Sequence, residues 1–445
     1  MNLIKNMAAE IKKYPSVIAG LILIAFLVFL AAYALITIPY DEAIKLWRGG
    51  DNIWLESPRN ARPVWFNYFY RDKKPETIIV RSEENVNKTT TKLAEGLYTS
   101  DIVFEFDYQY DDFPSELSLF LTSKAQTARP NVSITWHTPD GREYRMADLT
   151  LKPEESYRIS QDTRLSRRLG GAVPEIGLFA DPENPNKPLK GTYKLVIEGM
   201  LFEEGSSIEA SFVSYGKVHG LAGTDHRRRD LTVALLWGAP VALAFGFLAA
   251  IGSTITTLIL AACAVWYGGW VDSIIRRINE VVMILPTLPI LIMVGMFYSR
   301  SIWVMLGCII ALGIFGSGIM TYRSMFLQVK ESGYIEAAKA YGASNARIIF
   351  RYMIPKIIPV LIPQFVTMVP SYVFLEASLA VLGLGDPVLP TWGKLLNDAY
   401  ENGALYTGHY YWVLQPAFLL IIAGLGFALL GFALDRIFNP KLRGL

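Results

Sequence analysis

From Val17 to Ile38 the chain reads VIAGLILIAFLVFLAAYALITI, uncharged over more than the roughly 20 residues a helix needs to cross a 30 Å hydrocarbon layer. Backbone polar groups have no partner in lipid, so such a run must form a helix that satisfies its own N–H and C=O groups. Lys5, Lys12 and Lys13 precede it, and it ends in Ile38, Pro39 and Tyr40 without the small-residue site of a cleaved signal peptide. A permanent first span with a cytoplasmic N-terminus is expected.

Further apolar runs extend from Leu231 to Phe438 and are interrupted by charged stretches. They divide into five more expected spans at 238–268, 281–298, 302–322, 357–382 and 412–434. The run from Leu231 to Trp270 is long enough for one span or two short ones, and charge decides. With six spans in all, 14 basic residues fall on the cytoplasmic side, against five outside in the membrane half. Splitting the run would place the basic segment 323–356 outside, so one span and two cytoplasmic termini are expected.

The chain has 445 residues, 52% hydrophobic and 18% charged. Soluble domains average near 25% charged, so the composition points away from an ordinary soluble enzyme. A net charge of +2 gives no reason to expect nucleic acid. Cys263 and Cys308 lie in apolar runs, and the four histidines are scattered, so no metal ligand is assigned.

Residues 41–220 differ in kind, with 28 acids and 23 bases (net −5) and no run able to cross a bilayer. Apolar residues alternate at Ile102, Phe104, Phe106, Tyr108 and Tyr110, at Leu117, Leu119 and Leu121, and at Val132, Ile134 and Trp136. The pattern returns at Tyr193, Leu195 and Ile197 and at Ile208, Ala210 and Phe212, with turn formers between. An inserted extracytoplasmic β-rich, sandwich-like domain over 40–220 follows. Asn87 and Asn131 open N-x-S/T sequons compatible with exposure. Its position between two spans suggests that the domain docks or encloses a solute-binding protein. The cluster Trp47, Trp54, Trp65, Phe66, Tyr68, Phe69 and Tyr70 reads either as such a surface or as core and interfacial belt.

The segment 330–356 contains Glu336-Ala337-Ala338-Lys339-Ala340-Tyr341-Gly342-Ala343-Ser344-Asn345 and runs on to Ile354-Pro355. Helix formers up to Ala340, a break at Gly342 and a basic amphipathic stretch from Ala346 to Tyr352 predict a helix, a tight turn and a second helix ending at Pro355. On these properties alone an ordinary interfacial helix with snorkelling Lys and Arg is equally good.

The spacing resembles the EAA loop of ABC importer permeases, in which Glu-Ala-Ala is followed by three residues, Gly, nine residues, then two hydrophobic positions one residue apart and Pro. The membrane half is similar to the second (C-type) permease subunit of dipeptide and oligopeptide importers. Gly223-Thr224-Asp225 with Arg229-Asp230, Tyr267 to Asp272, Glu376 to Leu379, Leu382 to Gly385, Pro390 to Gly393, Asp435 and Asn439-Pro440 match its landmarks. The likeness is loose over 1–39 and close over 218–445. Arg228 stands where the family usually has Gly, Tyr352 takes a hydrophobic position, and Glu280 replaces Asp.

The resemblance implies a polytopic α-helical type I ABC importer permease with six transmembrane helices: a first span (1–39), the external domain (40–220) and a five-helix core (221–445). In such proteins the EAA helix docks in a cytoplasmic ATPase, here through Glu336, Ala337, Ala338, Lys339, Gly342, Ala343, Ser344 and Pro355. Candidates for the pathway or gate are Glu376, Ser378, Gly383, Gly385 and Trp392, with Glu376 either lining the pathway or tying helices together. The sequence lacks GxxxxGK[ST], so ATP and Mg are expected on two partner ATPase subunits. A second homologous permease subunit, an extracytoplasmic solute-binding protein and membrane lipid complete the expected partners. The expected localisation is the cell membrane. No hydrolase motif is present, and no enzyme activity is expected. The alternative is a membrane-anchored receptor or adhesion protein whose β domain binds a ligand.

Overall fold

The computed structural model describes residues 15–83, 86–125 and 128–438. The expectations on Lys5, Lys12, Lys13 and Asn439-Pro440 lie outside them. Two compact units form: Gly50–Thr232, and a helical unit holding the described residues up to Gly49 and from Val233 onward.

The helical unit contains α1 (Pro15–Thr37), α2 (Tyr40–Arg48), α3 (Leu231–Tyr267), α4 (Gly269–Ile284), α5 (Thr287–Phe297), α6 (Ile302–Ile314) and α7 (Ser317–Lys330). It continues with α8 (Gly333–Ala340), α9 (Ile354–Leu379), α10 (Trp392–Glu401) and α11 (Tyr410–Phe438). Residues 40–49 join this unit because Ala43 of α2 packs with Ala34 and Trp237, and the Trp237 Nε1 donates to Ile38 O at 3.1 Å. Residues 221–232 join the β unit.

Among the described residues, four helices are long and apolar enough to cross a membrane, or up to six if each of two bent pairs is one span. The region 231–267 is one helix. The expected spans 281–298 and 302–322 are not single helices. α4 and α5 meet at 79° and α6 and α7 at 45°. Leu285-Pro286 causes the first break, since Pro lacks a donor and pushes its predecessor to extended backbone (Leu285 ψ 129°). Gly316, at extended φ and ψ, makes the second.

Breaks in an apolar bundle free carbonyls that need donors. Asn279 of α4 is fully buried, and with its amide nitrogen turned toward them it donates to Phe315 O and Gly316 O, both at 3.0 Å. Thr257 of α3 donates to Ile314 O at 3.0 Å. The bend between α6 and α7 is thus satisfied from two neighbouring helices.

The second unit is a sandwich of two antiparallel sheets, ordered β1-β9-β4-β7 and β2-β3-β8-β5-β6. The strands are β1 (Ile78–Arg81), β2 (Lys88–Ala94), β3 (Leu97–Tyr108), β4 (Glu116–Lys124), β5 (Asn131–His137), β6 (Glu143–Thr150), β7 (Glu154–Tyr157), β8 (Gly191–Leu201) and β9 (Ser207–Tyr215). Phe104 lies opposite Leu195 and Phe106 opposite Tyr193, so one face of each strand enters a core with Leu119, Trp136 and Phe212. β3 stops at Tyr108, and Tyr110 only packs against that core.

Arg228 adopts φ 66°, the left-handed region that Gly enters freely, and the tight turn forms despite the side chain. Asp225 holds it by accepting from Arg227 N at 2.8 Å, Arg229 N at 2.9 Å and Arg229 Nε at 2.6 Å. The buried Arg228 guanidinium donates to Ser57 O at 2.7 Å, pairs with Glu116 at 2.6 Å, and lies 4.3 Å from the Tyr215 ring centroid.

Two outcomes follow. Asn279→Leu should cost about 1–3 kcal/mol by leaving buried carbonyls without donors, read as a lowered unfolding temperature of the full chain in detergent. Arg228→Ala should destabilise the chain by about 1 kcal/mol more than Arg228→Gly, because both lose the ion pair but only Gly relieves the left-handed strain; equal losses would contradict this account.

Candidate functional site

The EAA segment folds as α8, with Glu336 in its first turn and Lys339 in its last, each matching the helix dipole. Gly342 N donates to Lys339 O at 2.9 Å and Ala343 N to Ala338 O at 3.0 Å, the paired bonds of a Schellman cap. That cap needs a left-handed residue after the helix, and Gly342 supplies it at φ 75°. Ser344 accepts from Arg347 N at 3.4 Å and starts the next helical turn.

Ile335 and Ala338 are buried against a core shared with α3 and α7, and Ala343 packs on the same core. Lys339 is exposed, with its Nζ 4.7 Å from the Trp266 ring centroid. Lys330 donates to Val265 O at 2.7 Å beside it. Glu336, Ala337 and Gly342 remain exposed, and Tyr341 is 92% exposed. The helix is therefore anchored along one side and bare along the other.

Pro355 does not end the second helix. Asn345–Arg347 leads through a π turn, Ile348–Met353, directly into α9, with Pro355 in the first turn of α9. The first turn has unpaired N–H groups in any case, so Pro is tolerated there.

The pathway candidates disperse. Glu376 is 6% exposed, hydrogen-bonded by Thr391, and lines a space of about 10 Å³ with Arg300, Gly385 and Asp386. That volume is room for about one water. Gly383 (φ 81°) turns the chain after α9. Ser378 is exposed and donates to Phe374 O at 2.7 Å in its own helix. Trp392 is buried on α3, its Nε1 donating to Leu235 O at 2.9 Å, and a Cβ added at Gly238 would come within 2.2 Å of its ring.

Sequence reasoning missed Asp386, whose carboxylate accepts from Ile302 N at 2.9 Å and Val388 N at 2.8 Å, fixing the start of α6. The signal was an Asp-Pro pair after a Gly-rich turn. It also missed the clamp of Asp272 by Arg323, with Nε to Oδ1 and Nη2 to Oδ2 both at 2.7 Å, joining α4 to α7. Arg276 also joins Asp272 at 3.3 Å, while Arg277 pairs with Glu280 at 2.9 Å.

These features define a polytopic helical membrane protein with an inserted β-sandwich and one projecting, Gly-capped helix. Residues 253–444 match the family of binding-protein-dependent transport system inner membrane components. The dipeptide transport system permease protein DppC of Bacillus subtilis (strain 168) is 31% identical over 327 residues, 72% of this chain and 98% of the relative. The oligopeptide transport system permease protein OppC of the same strain is 30% identical over 224 residues, 50% of this chain and 72% of the relative. The glutathione transport system permease protein GsiD of Escherichia coli O6:K15:H31 (strain 536 / UPEC) is 32% identical over 226 residues, with the same shares. The chain belongs to the family of binding-protein-dependent transport system inner membrane components.

The two ion pairs of α4 should respond differently. Asp272→Asn removes a bidentate, largely buried partner and should lower the unfolding temperature clearly, whereas Arg277→Ala, in an exposed pair, should change stability by no more than about 0.5 kcal/mol.

Proposed function

We propose that this chain is the permease subunit of an ATP-driven importer for peptides or related solutes, such as dipeptides, oligopeptides or oligosaccharides. It supplies half of the translocation pathway, and a homologous permease subunit supplies the other half. The observation that carries the reading is α8, held on one side by the helical core and bare on the other at Glu336, Ala337 and Tyr341. Such a helix suits insertion into a groove of a cytoplasmic ATPase, with Ala337 permitting close approach and Gly342 turning the chain away.

ATP and Mg belong to two partner ATPase subunits in this scheme. Their closure draws two docked helices together and tilts the spans from inward-open to outward-open as rigid bodies. Transmission from α8 runs through the core it shares with α3 and α7. The excess of Lys and Arg on one side of the expected topology supports cytoplasmic termini and an external sandwich, which faces the solute-binding protein. Glu376 and Asp386 form a polar point among apolar helices at the end of α9, where they set the shape of the pathway wall.

Replacing Gly342 tests the reading. A Cβ at Gly342 meets nothing within 4 Å in this chain, so Gly342→Val acts through the left-handed backbone and not through a clash inside the subunit. Loss of the cap, costing about 1–2 kcal/mol, should abolish ATPase co-purification and uptake while the chain still inserts into the membrane. Wild-type uptake by Gly342→Val would overturn the assignment. Recovery of two ATPase chains with the wild-type subunit separates transport from an anchored receptor.

A further inference from the structure

The sandwich carries an exposed aromatic ridge that neither its core nor the transport reading uses. Val64–Tyr68 forms a 3₁₀ turn, and Trp65, Tyr68 and Phe69 are 42%, 88% and 79% exposed, with Leu221 beside them at 76%. The ridge is built rigidly. Trp65 Nε1 donates to Leu221 O at 2.9 Å, Asn67 and Lys74 exchange bonds at 3.0 and 3.1 Å, and Val64 N donates to Gly220 O at 3.0 Å. The Trp65 ring lies 4.5 Å from Phe66 and 6.3 Å, edge-on, from Phe69. Tyr70 is held underneath by Arg62, so the exposed rings stand on a fixed base. Fixed, exposed rings of this size mark a contact surface.

Charge selects the partner. Residues 59–74 hold five bases (Arg59, Arg62, Arg71, Lys73, Lys74) and one acid (Asp72), a net of +4. Residues 41–220 as a whole carry −5, so the rest of that region carries −9. Arg59, Arg71 and Lys73 are exposed, as is Asp72, while Lys74 pairs with Asp112 at 2.9 Å. Trp, Tyr and Phe flanked by Arg and Lys is the composition that settles at the headgroup level of a bilayer. An anionic headgroup layer attracts this ridge and repels the remainder of the domain, which fixes one orientation. The chain reaches the ridge from apolar helices on both sides: α1 ends at Thr37, and Leu221 precedes the start of α3 by ten residues.

We propose that the Trp65–Lys74 ridge, with Leu221, seats the sandwich on the headgroup layer of an anionic membrane. The sandwich is then a surface-bound platform with its acidic remainder directed away from lipid. This holds for either membrane face, so it stands or falls separately from the importer reading.

The test uses the full chain with Cys263→Ser and Cys308→Ser, carrying a single environment-sensitive fluorophore through Tyr68→Cys or, as a control on the sandwich, Val173→Cys. Vesicles are phosphatidylcholine alone or an equimolar mixture with phosphatidylglycerol. The label at position 68 should shift to the blue and be quenched by a lipid bearing a nitroxide near its headgroup, more strongly with phosphatidylglycerol. The label at 173 should stay open to aqueous iodide. Arg71→Gln with Lys73→Gln should reduce the ratio of seated to free domain by about 30-fold, with native unfolding behaviour retained. Equal iodide quenching at 68 and 173 would overturn the proposal. So would protection of position 68 that appears only when a solute-binding protein is added.

Discussion

A backbone carbonyl freed inside an apolar bundle has no water to turn to, and the helical unit is organised around that fact. Two of its expected crossings are broken, and the break at Phe315-Gly316 survives because Asn279 and Thr257 supply donors from adjacent helices. The Asp272–Arg323 clamp ties α4 to α7, so each broken pair is braced by the other. α8 rests on the same braced region through Ile335 and Ala338. Under the proposed importer reading α8 gains from this stiff seat, because a soft one would absorb the displacement locally.

The loop before α3 meets a different constraint. A turn that Gly would make without strain is made by Arg228, and the left-handed backbone is offset by an ion pair, a carbonyl bond and an aromatic face. A Gly could form the turn but could not reach Glu116 on β4 or Ser57. The arginine therefore converts a simple turn into a tie between the chain leaving the sandwich and the sandwich itself.

How much of this was legible depended on what each residue faces. The five strands read from alternation, β3, β4, β5, β8 and β9, are the interior strands of the two sheets, where a buried face imposes period two. The four not read, β1, β2, β6 and β7, are the sheet edges. β2 buries only Lys88 at its start, so Thr and Lys follow with nothing to enforce a pattern. Apolar runs gave the existence of spans but not their breaks, since Pro286 and Gly316 look like ordinary residues of a membrane helix. The α8 turn was legible because one Gly at a helix end has a direct backbone meaning. The Asp272–Arg323 clamp was not, because its partners lie 51 residues apart and only the packing of α4 on α7 brings them together.

α1 packs along α11, and a Cβ at Gly20 would fall 2.9 Å from Gly426 O, so the two helices touch backbone to backbone. They stand at opposite ends of the chain, with roughly 370 residues between Thr37 and Tyr410, which take about 20 to 75 s to synthesise at ribosomal speed. For that interval the first helix is without α11, although α3, which packs on it through Trp237 and Ala34, is made well before. Its uncharged, strongly apolar sequence suits it to the bilayer over that interval, and the small Gly20 leaves the backbone room that α11 takes up.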